Sequence, residues 1–409
     1  MMRMVQFEWK KILKSKISLI AAAAGFFLLV FCVTVWLTQS NYYDAEKKEQ
    51  VYGIETIRIN QERERARAEV LTEEALCRMV ETVQENAKKE GAESPEDYYV
   101  LCRDNLKVSS LLACTYAKSE RDQIENNWRI LGNISTEGGI RFYERRMEKI
   151  KEILNMSYSY GDYTPEEKEF WIGKAEKVKT PFLWGDTFAM SNVLDILGVS
   201  FYLLFVAAIC ISPIFASEYE AKADSLLFTT KFGKTRLIAA KIITALSFSL
   251  LYFLVCQGIC LLLIAAVCGL DGAELPIQLW DTIIPYDWTA GKTFLVCLAV
   301  MLLGVAAFTL FTAALSAKLK SSFSVIIADF VLLIGPAFLT FSKSSGLWNH
   351  ILYLLPVRAL AGKEVIRIFN SYQIGGVVIS YLAMVVIVYT GAGALSLLWL
   401  WKHNWTLKK

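Results

Sequence analysis

Long stretches without charge are the feature that most constrains this chain. A transmembrane helix needs roughly 20 apolar residues to cross about 30 Å of hydrocarbon at about 1.5 Å per residue. Five uncharged runs of 27, 22, 29, 25 and 34 residues lie between Lys16 and Asp44, Asp195 and Glu218, Lys241 and Asp271, Lys292 and Lys318, and Arg367 and Lys402. A sixth run, 321–342, is interrupted by Asp329. We therefore predict an all-α membrane protein with six transmembrane helices, at 17–38, 191–216, 237–268, 292–317, 322–341 and 373–400.

Composition excludes several other classes of protein. Hydrophobic residues make up 55% of the chain and charged residues only 20%, too apolar for a soluble, disordered or nucleic-acid-binding protein. The two histidines lie far apart in sequence, so we expect neither a metal site nor a catalytic residue. Two Gly-Lys-Thr triplets, at Gly233 and Gly291, lack the earlier glycine that a phosphate-binding loop requires. The chain is not expected to bind a nucleotide or any other cofactor itself.

The basic residues predict which ends of the helices face the cytoplasm. Fifteen lysines and arginines flank one set of helix ends, against four acidic residues. The opposite loop, 271–291, has four acidic residues and no basic one. Because lysine and arginine accumulate on the cytoplasmic side, both termini are expected to be cytoplasmic. Residues 39–190, with a net charge of −6, then form an extracytoplasmic domain between helices 1 and 2.

The residues of this domain predict helices. Thr164, Pro165 and Glu167 are typical of a helix start with a capping box, and Ser94–Asp97 has the same pattern. Leu71, Leu76, Met79 and Val83 fall on one helical face, with Gly91 as a plausible stop. No comparable strand pattern is visible. Cys77, Cys102 and Cys114 lie in this domain, where Cys77 could pair with either of the others but the last two are too far apart on one helix.

The loop between helices 2 and 3 has an unusual pattern. An acidic pair, Glu218 and Glu220, precedes a short apolar segment with Leu226 and Leu227, and Arg236 opens the next helix. This arrangement resembles the permease subunits of type 2 ABC exporters, in which such a loop contains the coupling helix that docks on a separate ATPase. An ordinary positively charged cytoplasmic loop is the alternative.

Two further segments extend the resemblance over all six helices. In residues 1–16, Met2, Val5, Trp9 and Ile12 share one face, as in an interfacial amphipathic helix, and the segment resembles the family's elbow helix. Residues 347–355 are apolar but too short to cross a bilayer, and they resemble the short outer-leaflet helices of the family. The large domain at 39–190 is a departure, since the simplest members have only a brief loop there.

The resemblance implies a transport subunit rather than an enzyme. It implies that residues 217–236 bind an ABC ATPase subunit, in which ATP and Mg would act, and that an identical or homologous permease chain completes the assembly. The resemblance also implies that the protein lies in a bacterial plasma membrane, where it contacts lipid. Binding to nucleic acid is not expected. The substrate, such as a peptide, drug or lipid, is not named by the sequence.

Two other functions compete with export. The ATPase could instead bend the extracytoplasmic domain against an outside partner, in mechanical transmission without transport. The chain could also be a sensor or channel that uses no ATPase. Asp329 poses a separate question, because a carboxylate within a span is costly unless it finds a partner or water. In one interpretation Asp329 lines a substrate path or a dimer seam. In the other it has a structural role, and either accepts hydrogen bonds from hydroxyls such as that of Ser324 or faces the cytoplasmic mouth of the bundle.

Overall fold

The computed structural model describes residues 1–44, 49–90, 106–118, 129–157, 161–223, 235–342 and 346–406. The described chain is mostly helical. Within these described ranges, five helices are long and apolar enough to cross a membrane, as in a multi-pass membrane protein. They are Lys16–Thr38, Phe188–Glu220, Arg236–Cys268, Ala290–Leu319 and Tyr381–Lys402. The amphipathic helix α1 (Met2–Lys14) precedes the first of them, α2 (Lys16–Thr38).

The second long helix is made of three α-helical pieces. They are α8 (Phe188–Val199), α9 (Leu203–Ile211) and α10 (Pro213–Glu220), with a 3-10 turn at Ser200–Tyr202. The third and fourth long helices, α11 (Arg236–Cys268) and α12 (Ala290–Leu319), are continuous.

The fifth predicted span is shorter than the others. The helix α13 (Ser322–Ile334) ends in a 3-10 turn, Gly335–Phe338, and the whole apolar segment Ser322–Phe338 is below the roughly 20 residues of a full crossing. Pro336 and the glycine before it end the regular helix. Six full spans thus remain an expectation, with five long helices and one shorter one observed.

The last long helix, α17 (Tyr381–Thr406), begins later than the predicted 373. Residues before it form an antiparallel hairpin of β3 (Ser371–Ile374) and β4 (Val377–Ser380). Gly375 and Gly376 connect the strands, with φ of +60° and +81°. A two-residue hairpin turn with positive φ at both positions favours glycine, so this pair stops the apolar run from being one helix.

The domain between the first two long helices, here called the inserted domain, is mainly helical. Its described helices are α3 (Ile54–Ala66), α4 (Glu73–Glu90), α5 (Leu106–Tyr116), α6 (Phe142–Leu154) and α7 (Pro165–Ala175). A second hairpin, β1 (Asn41–Asp44) with β2 (Glu49–Tyr52), lies between α2 and α3. The sequence predicted helices for this domain, and this hairpin was not predicted. The strands pair with each other in a local hairpin, and four residues each are too few to show a clear period.

Two local predictions in the inserted domain can be compared with its helices. The capping box is confirmed, because the Thr164 side chain accepts from the Glu167 backbone and the Glu167 side chain accepts from the Thr164 backbone. Leu76 and Val83 are buried on α4, whereas Leu71 is buried just before that helix begins. Three further predictions lie outside the described residues. They concern the helix start at 94–97, the stop of the preceding helix at Gly91, and Cys102. Cys77 and Cys114 are free thiols.

Buried polar contacts attach the inserted domain to the membrane helices. Gln61 on α3 donates to the Asp186 carboxylate and to the Cys268 carbonyl, both at 2.7 Å. Arg146 on α6 is 2% exposed and donates to the carbonyls of Thr282 at 2.5 Å and Ile284 at 3.2 Å. Removal from water lowers the pKa of Arg146 to about 10, which still leaves it charged at neutral pH. The domain is thus seated on the loop between α11 and α12.

The segment between α13 and β3 folds back onto the same end of the bundle. It contains the short helices α14 (Gly346–Tyr353), α15 (Pro356–Ala359) and α16 (Glu364–Arg367). The eight residues of α14 confirm that this apolar stretch is too short to cross a membrane. Gly362, with φ of +63°, lies so close to the backbone of Gly198 that an added Cβ would be 2.9 Å from its Cα.

Candidate functional site

The helix α1 lies along the bundle with its apolar face inward. Ile12 is buried, and the Trp9 indole donates to the Ser247 hydroxyl of α11 at 3.0 Å. The Trp9 ring also meets Phe248 edge to face, with centroids 5.5 Å apart. Met2, the first residue of the predicted apolar face, is exposed. These contacts fix α1 to the beginning of the third long helix.

Four charged side chains meet where α1 packs against α10 and α11. We call them the ion cluster, and they are Glu8 and Lys11 of α1, Glu218 of α10 and Lys241 of α11. The Lys241 ammonium lies 2.8 Å from a Glu218 oxygen and 3.4 Å from a Glu8 oxygen. Lys11 lies 2.8 Å from Glu8 and 3.6 Å from Glu218. Each carboxylate therefore has two cationic neighbours, and the four charges sum to zero.

Three of the four side chains in the ion cluster are buried, so their charges are stable only while they remain paired. The side chains of Lys241, Glu8 and Glu218 are 1%, 3% and 10% exposed, while that of Lys11 is 40% exposed. Lys241 also donates to the Ile214 carbonyl of α10. Charges taken out of water are tolerated only when they are paired and hydrogen-bonded, so α1, α10 and α11 are held in one relative position.

A second contact holds the end of α10 against α13. The Glu220 carboxylate accepts from the Ser322 backbone at 2.7 Å and lies 3.4 Å from its hydroxyl. A negative group at a helix start is favourable because the first amides lack partners within the helix. The Lys320 ammonium lies 4.9 Å from the centroid of the Tyr219 ring. The turn between α12 and α13 is therefore attached to the same end of the second long helix.

The residues predicted to bind an ATPase have different positions. Glu218 belongs to the ion cluster and Glu220 to the α13 contact, so both have structural partners. Arg236 is exposed at the first position of α11. Leu226 and Leu227 lie outside the described residues. Residues 224–234 lie outside the described part of the chain, between Glu220, which contacts α13, and Lys241, which belongs to the ion cluster.

The contact between Glu8 and Lys241 was not predicted from the sequence. Glu8 is the one acidic residue among the first sixteen, and Lys241 lies five residues into the third long helix. Each is unusual in its own segment, which is a weak signal that could have been noticed. Nothing in the sequence, however, says that two residues 233 positions apart meet.

A serine from another helix stabilises the break in the second long helix at Pro213. Proline has no amide hydrogen, so the Ile209 carbonyl loses its usual partner and accepts instead from the Ser212 hydroxyl at 3.0 Å. The Ser316 hydroxyl of α12 accepts from the amides of Phe215 and Ala216 at 3.1 and 3.0 Å and donates to the Ser212 carbonyl at 2.7 Å. The freed backbone groups are thus satisfied by hydroxyls.

Asp329 is completely buried on the side of α13 that faces α12. One carboxylate oxygen accepts from the Thr312 hydroxyl at 3.0 Å, and the other has no hydrogen-bond partner among the described residues. Phe323, Phe330 and Val331 of the same helix are exposed. Asp329 therefore points into the bundle, and its observed partner is Thr312 rather than Ser324.

Comparisons with other proteins do not identify the chain. No protein-family model, characterised protein or solved structure matches it. Within the described residues, no group of three histidine, cysteine, aspartate or glutamate side chains could hold a metal ion.

Proposed function

We propose that the chain is the permease subunit of an ATP-driven exporter of the type 2 ABC family, with residues 217–236 as its contact with an ATPase. The ion cluster is the observation that carries this proposal. A loop that transmits force must be anchored at both ends, or a push on it is absorbed locally. Glu218 and Lys241 anchor the two ends to each other and to Glu8 of α1.

The contacts suggest how a movement of this loop would spread. A displacement at 224–234 would shift α10, α11 and α1 together, because separating the ion cluster would leave buried charges unpaired. It would also shift α13 through the bond between Glu220 and Ser322. The break at Pro213 lies between this group and the rest of the second long helix, which is where bending would cost least. In the assembly we propose, a second permease chain, identical or homologous, completes the path.

The proposed topology has six spans, both termini in the cytoplasm and the inserted domain outside. In a background in which Cys77, Cys102 and Cys114 are replaced by serine, an impermeant thiol reagent on intact cells should label Glu274→Cys and Ser94→Cys but not Lys231→Cys or Lys318→Cys. Permeabilised cells supply the control, since all four sites should then react. Labelling of Lys231→Cys in intact cells would overturn the topology and the ATPase contact together.

Copurification tests the ATPase contact. The tagged chain from its native membrane should retain an ATPase subunit that binds ATP and Mg. Leu226→Asp should weaken this association by on the order of a hundredfold, the usual effect of losing an apolar anchor in a docking surface. Gln6→Asp adds the same charge at an exposed position of α1, outside residues 217–236, and is the control. If no ATPase is retained by the unaltered chain, a sensor or channel without an ATPase becomes the better proposal.

Mechanical transmission is a second candidate, favoured by the seating of the inserted domain. Gln61 bonds to Asp186 just before α8 and to Cys268 at the end of α11, so movements of two long helices would reach α3 directly. ATP-dependent movement of a substrate into inverted vesicles distinguishes export from this alternative. An ATPase that copurifies without any such movement would favour mechanical transmission.

A further inference from the structure

A groove opens between α12 and α17 toward the basic end of the bundle, the end that carries the ion cluster. Its volume is about 610 Å³, within the usual range for small-molecule sites. Its lining is apolar apart from Ser396, Lys318 and Lys402, and it includes Phe311, Ala392 and Trp399.

The shape of the groove follows from where the two helices touch. At Gly393 the helices are so close that an added Cβ would lie 3.5 Å from the Cα of Ala307. Lys318 is eleven residues beyond Ala307 and Lys402 is nine residues beyond Gly393, so about 14 to 16 Å of helix separates the contact from the lysines. This distance is about half the hydrocarbon thickness of a bilayer. The lining itself runs over about 10 Å of α12, from Phe311 to Lys318, and about 15 Å of α17, from Ala392 to Lys402, which is no deeper than one membrane leaflet.

The chemistry of the groove changes along its length. Its deeper part is lined by aliphatic and phenyl side chains, whereas Lys318 and Lys402 are exposed near its mouth. Trp399 lies among the lining residues near that mouth, and tryptophan is enriched where hydrocarbon meets headgroups. No acidic side chain is among the described residues that line it. Such a site suits a long apolar chain that ends in an anion.

We propose that this groove binds one anionic phospholipid, with an acyl chain between α12 and α17 and the phosphate between Lys318 and Lys402. Basic pockets between membrane helices are favourable sites for anionic headgroups. A second copy of this chain is a poorer occupant. In a two-fold contact the same surface meets itself, so the like charges of Lys318 and Lys402 from both copies would be brought close together. The proposal does not depend on the ATPase contact.

Native mass spectrometry of the full-length protein tests the proposal directly. After delipidation, phosphatidylglycerol and phosphatidylcholine with the same acyl chains are added separately. We expect one phosphatidylglycerol to be retained about 10- to 30-fold more strongly, from two lysine contacts. The double variant Lys318→Gln/Lys402→Gln should lose this preference. Equal retention of the two lipids by the unaltered protein would overturn the proposal.

Two further variants distinguish the groove from general attraction to a basic surface. Lys10→Gln/Lys14→Gln removes two exposed charges from α1 and should keep the preference. Ala392→Phe fills the groove and should reduce retention of the lipid while leaving Lys318 and Lys402 in place. If the α1 variant loses the preference to the same extent, or if Ala392→Phe retains the lipid, the groove is not the site. If Ala392→Phe instead breaks a dimer, the groove is a protein interface and the lipid proposal is wrong.

Discussion

The Lys241 ammonium lies 2.8 Å from the Glu218 carboxylate, and the two side chains are 1% and 10% exposed. The third and second long helices are therefore joined by a charge pair that water barely reaches. Glu8 approaches the same ammonium at 3.4 Å, which adds α1 to the pair. The value of such a pair for stability is small when it is compared with an apolar core, but removal of one partner is costly.

Lys241→Met should destabilise the protein strongly. Glu8 and Glu218 would remain buried with Lys11 as their cation, and loss of one partner from a buried pair costs about 3 to 5 kcal/mol. Unfolding in mixed micelles gives the free-energy difference. Lys10→Met, an exposed lysine on α1, should change it by less than about 0.5 kcal/mol. Similar values for the two variants would mean that the ion cluster does not hold these helices together.

Adjacent arginines on α6 should differ greatly in their contribution to stability. Arg146→Leu removes the donor to the Thr282 and Ile284 carbonyls and should cost about 2 to 4 kcal/mol while loosening the inserted domain. Arg145 forms partly exposed ion pairs with Glu148 and Glu152, so Arg145→Leu should cost about 1 kcal/mol or less. Hydrogen exchange at 276–289 reports the loosening. Equal protection there in both variants would contradict the proposed seating.

Ser316→Ala should lower the stability of the protein, because the Ser316 hydroxyl bonds to the backbone at the helix break beside Pro213. The amides of Phe215 and Ala216 would lose their acceptor, at a cost of about 1 to 3 kcal/mol for the buried groups. Ser249→Ala is the control, because the buried Ser249 hydroxyl has no hydrogen-bond partner among the described residues. The two variants are compared by unfolding in mixed micelles. A Ser316→Ala protein as stable as the control would show that the helix break does not need this hydroxyl.

Acidification should weaken the packing of α14 against β3. Burial lowers the pKa of His350 below its ordinary 6.5, with Glu167 opposing the shift, and its ring lies 4.8 Å from that of Tyr372. Because the unfolded chain takes up this proton more readily, the contribution of His350 is complete above pH 6.5 and decreases as the pH falls through the folded pKa. The difference in melting temperature between pH 7.5 and 5.5 should be smaller in His350→Asn. An unchanged difference would exclude His350 as its source.

Asp329→Asn distinguishes the two interpretations of the buried carboxylate. Asparagine keeps the acceptor for Thr312 and removes a charge that is costly within a span, so the variant should assemble normally. Loss of transport in a normally assembled protein would support a role in the substrate path or dimer seam. Transport equal to that of the unaltered protein would leave a structural role. Thr312→Val, which removes the observed donor, separates the hydrogen bond from the charge.

The long helices could be predicted because the signals for them are local. A charge-free run of sufficient length must satisfy its backbone internally in a bilayer, so hydropathy alone locates α2, α11 and α12. The capping box at Thr164 and Glu167 spans four residues and was equally readable. The ends of the helices were less certain. The hairpin at Gly375–Gly376 is as apolar as a helix, and its turn geometry decided the boundary.

The contacts of the candidate site join residues that are far apart in the sequence, so no local signal predicts them. Glu8 meets Lys241, and Ser316 inserts beside Pro213 from a helix about a hundred residues later. Hydropathy and periodicity report how one segment meets its surroundings, but they carry no information on which distant segment supplies its partner. By itself the sequence determined the five long apolar helices and the distribution of charge along the chain, but not all of the helix ends. The tertiary structure alone decided which buried charges pair, because that pairing depends on distances that arise only when the helices pack.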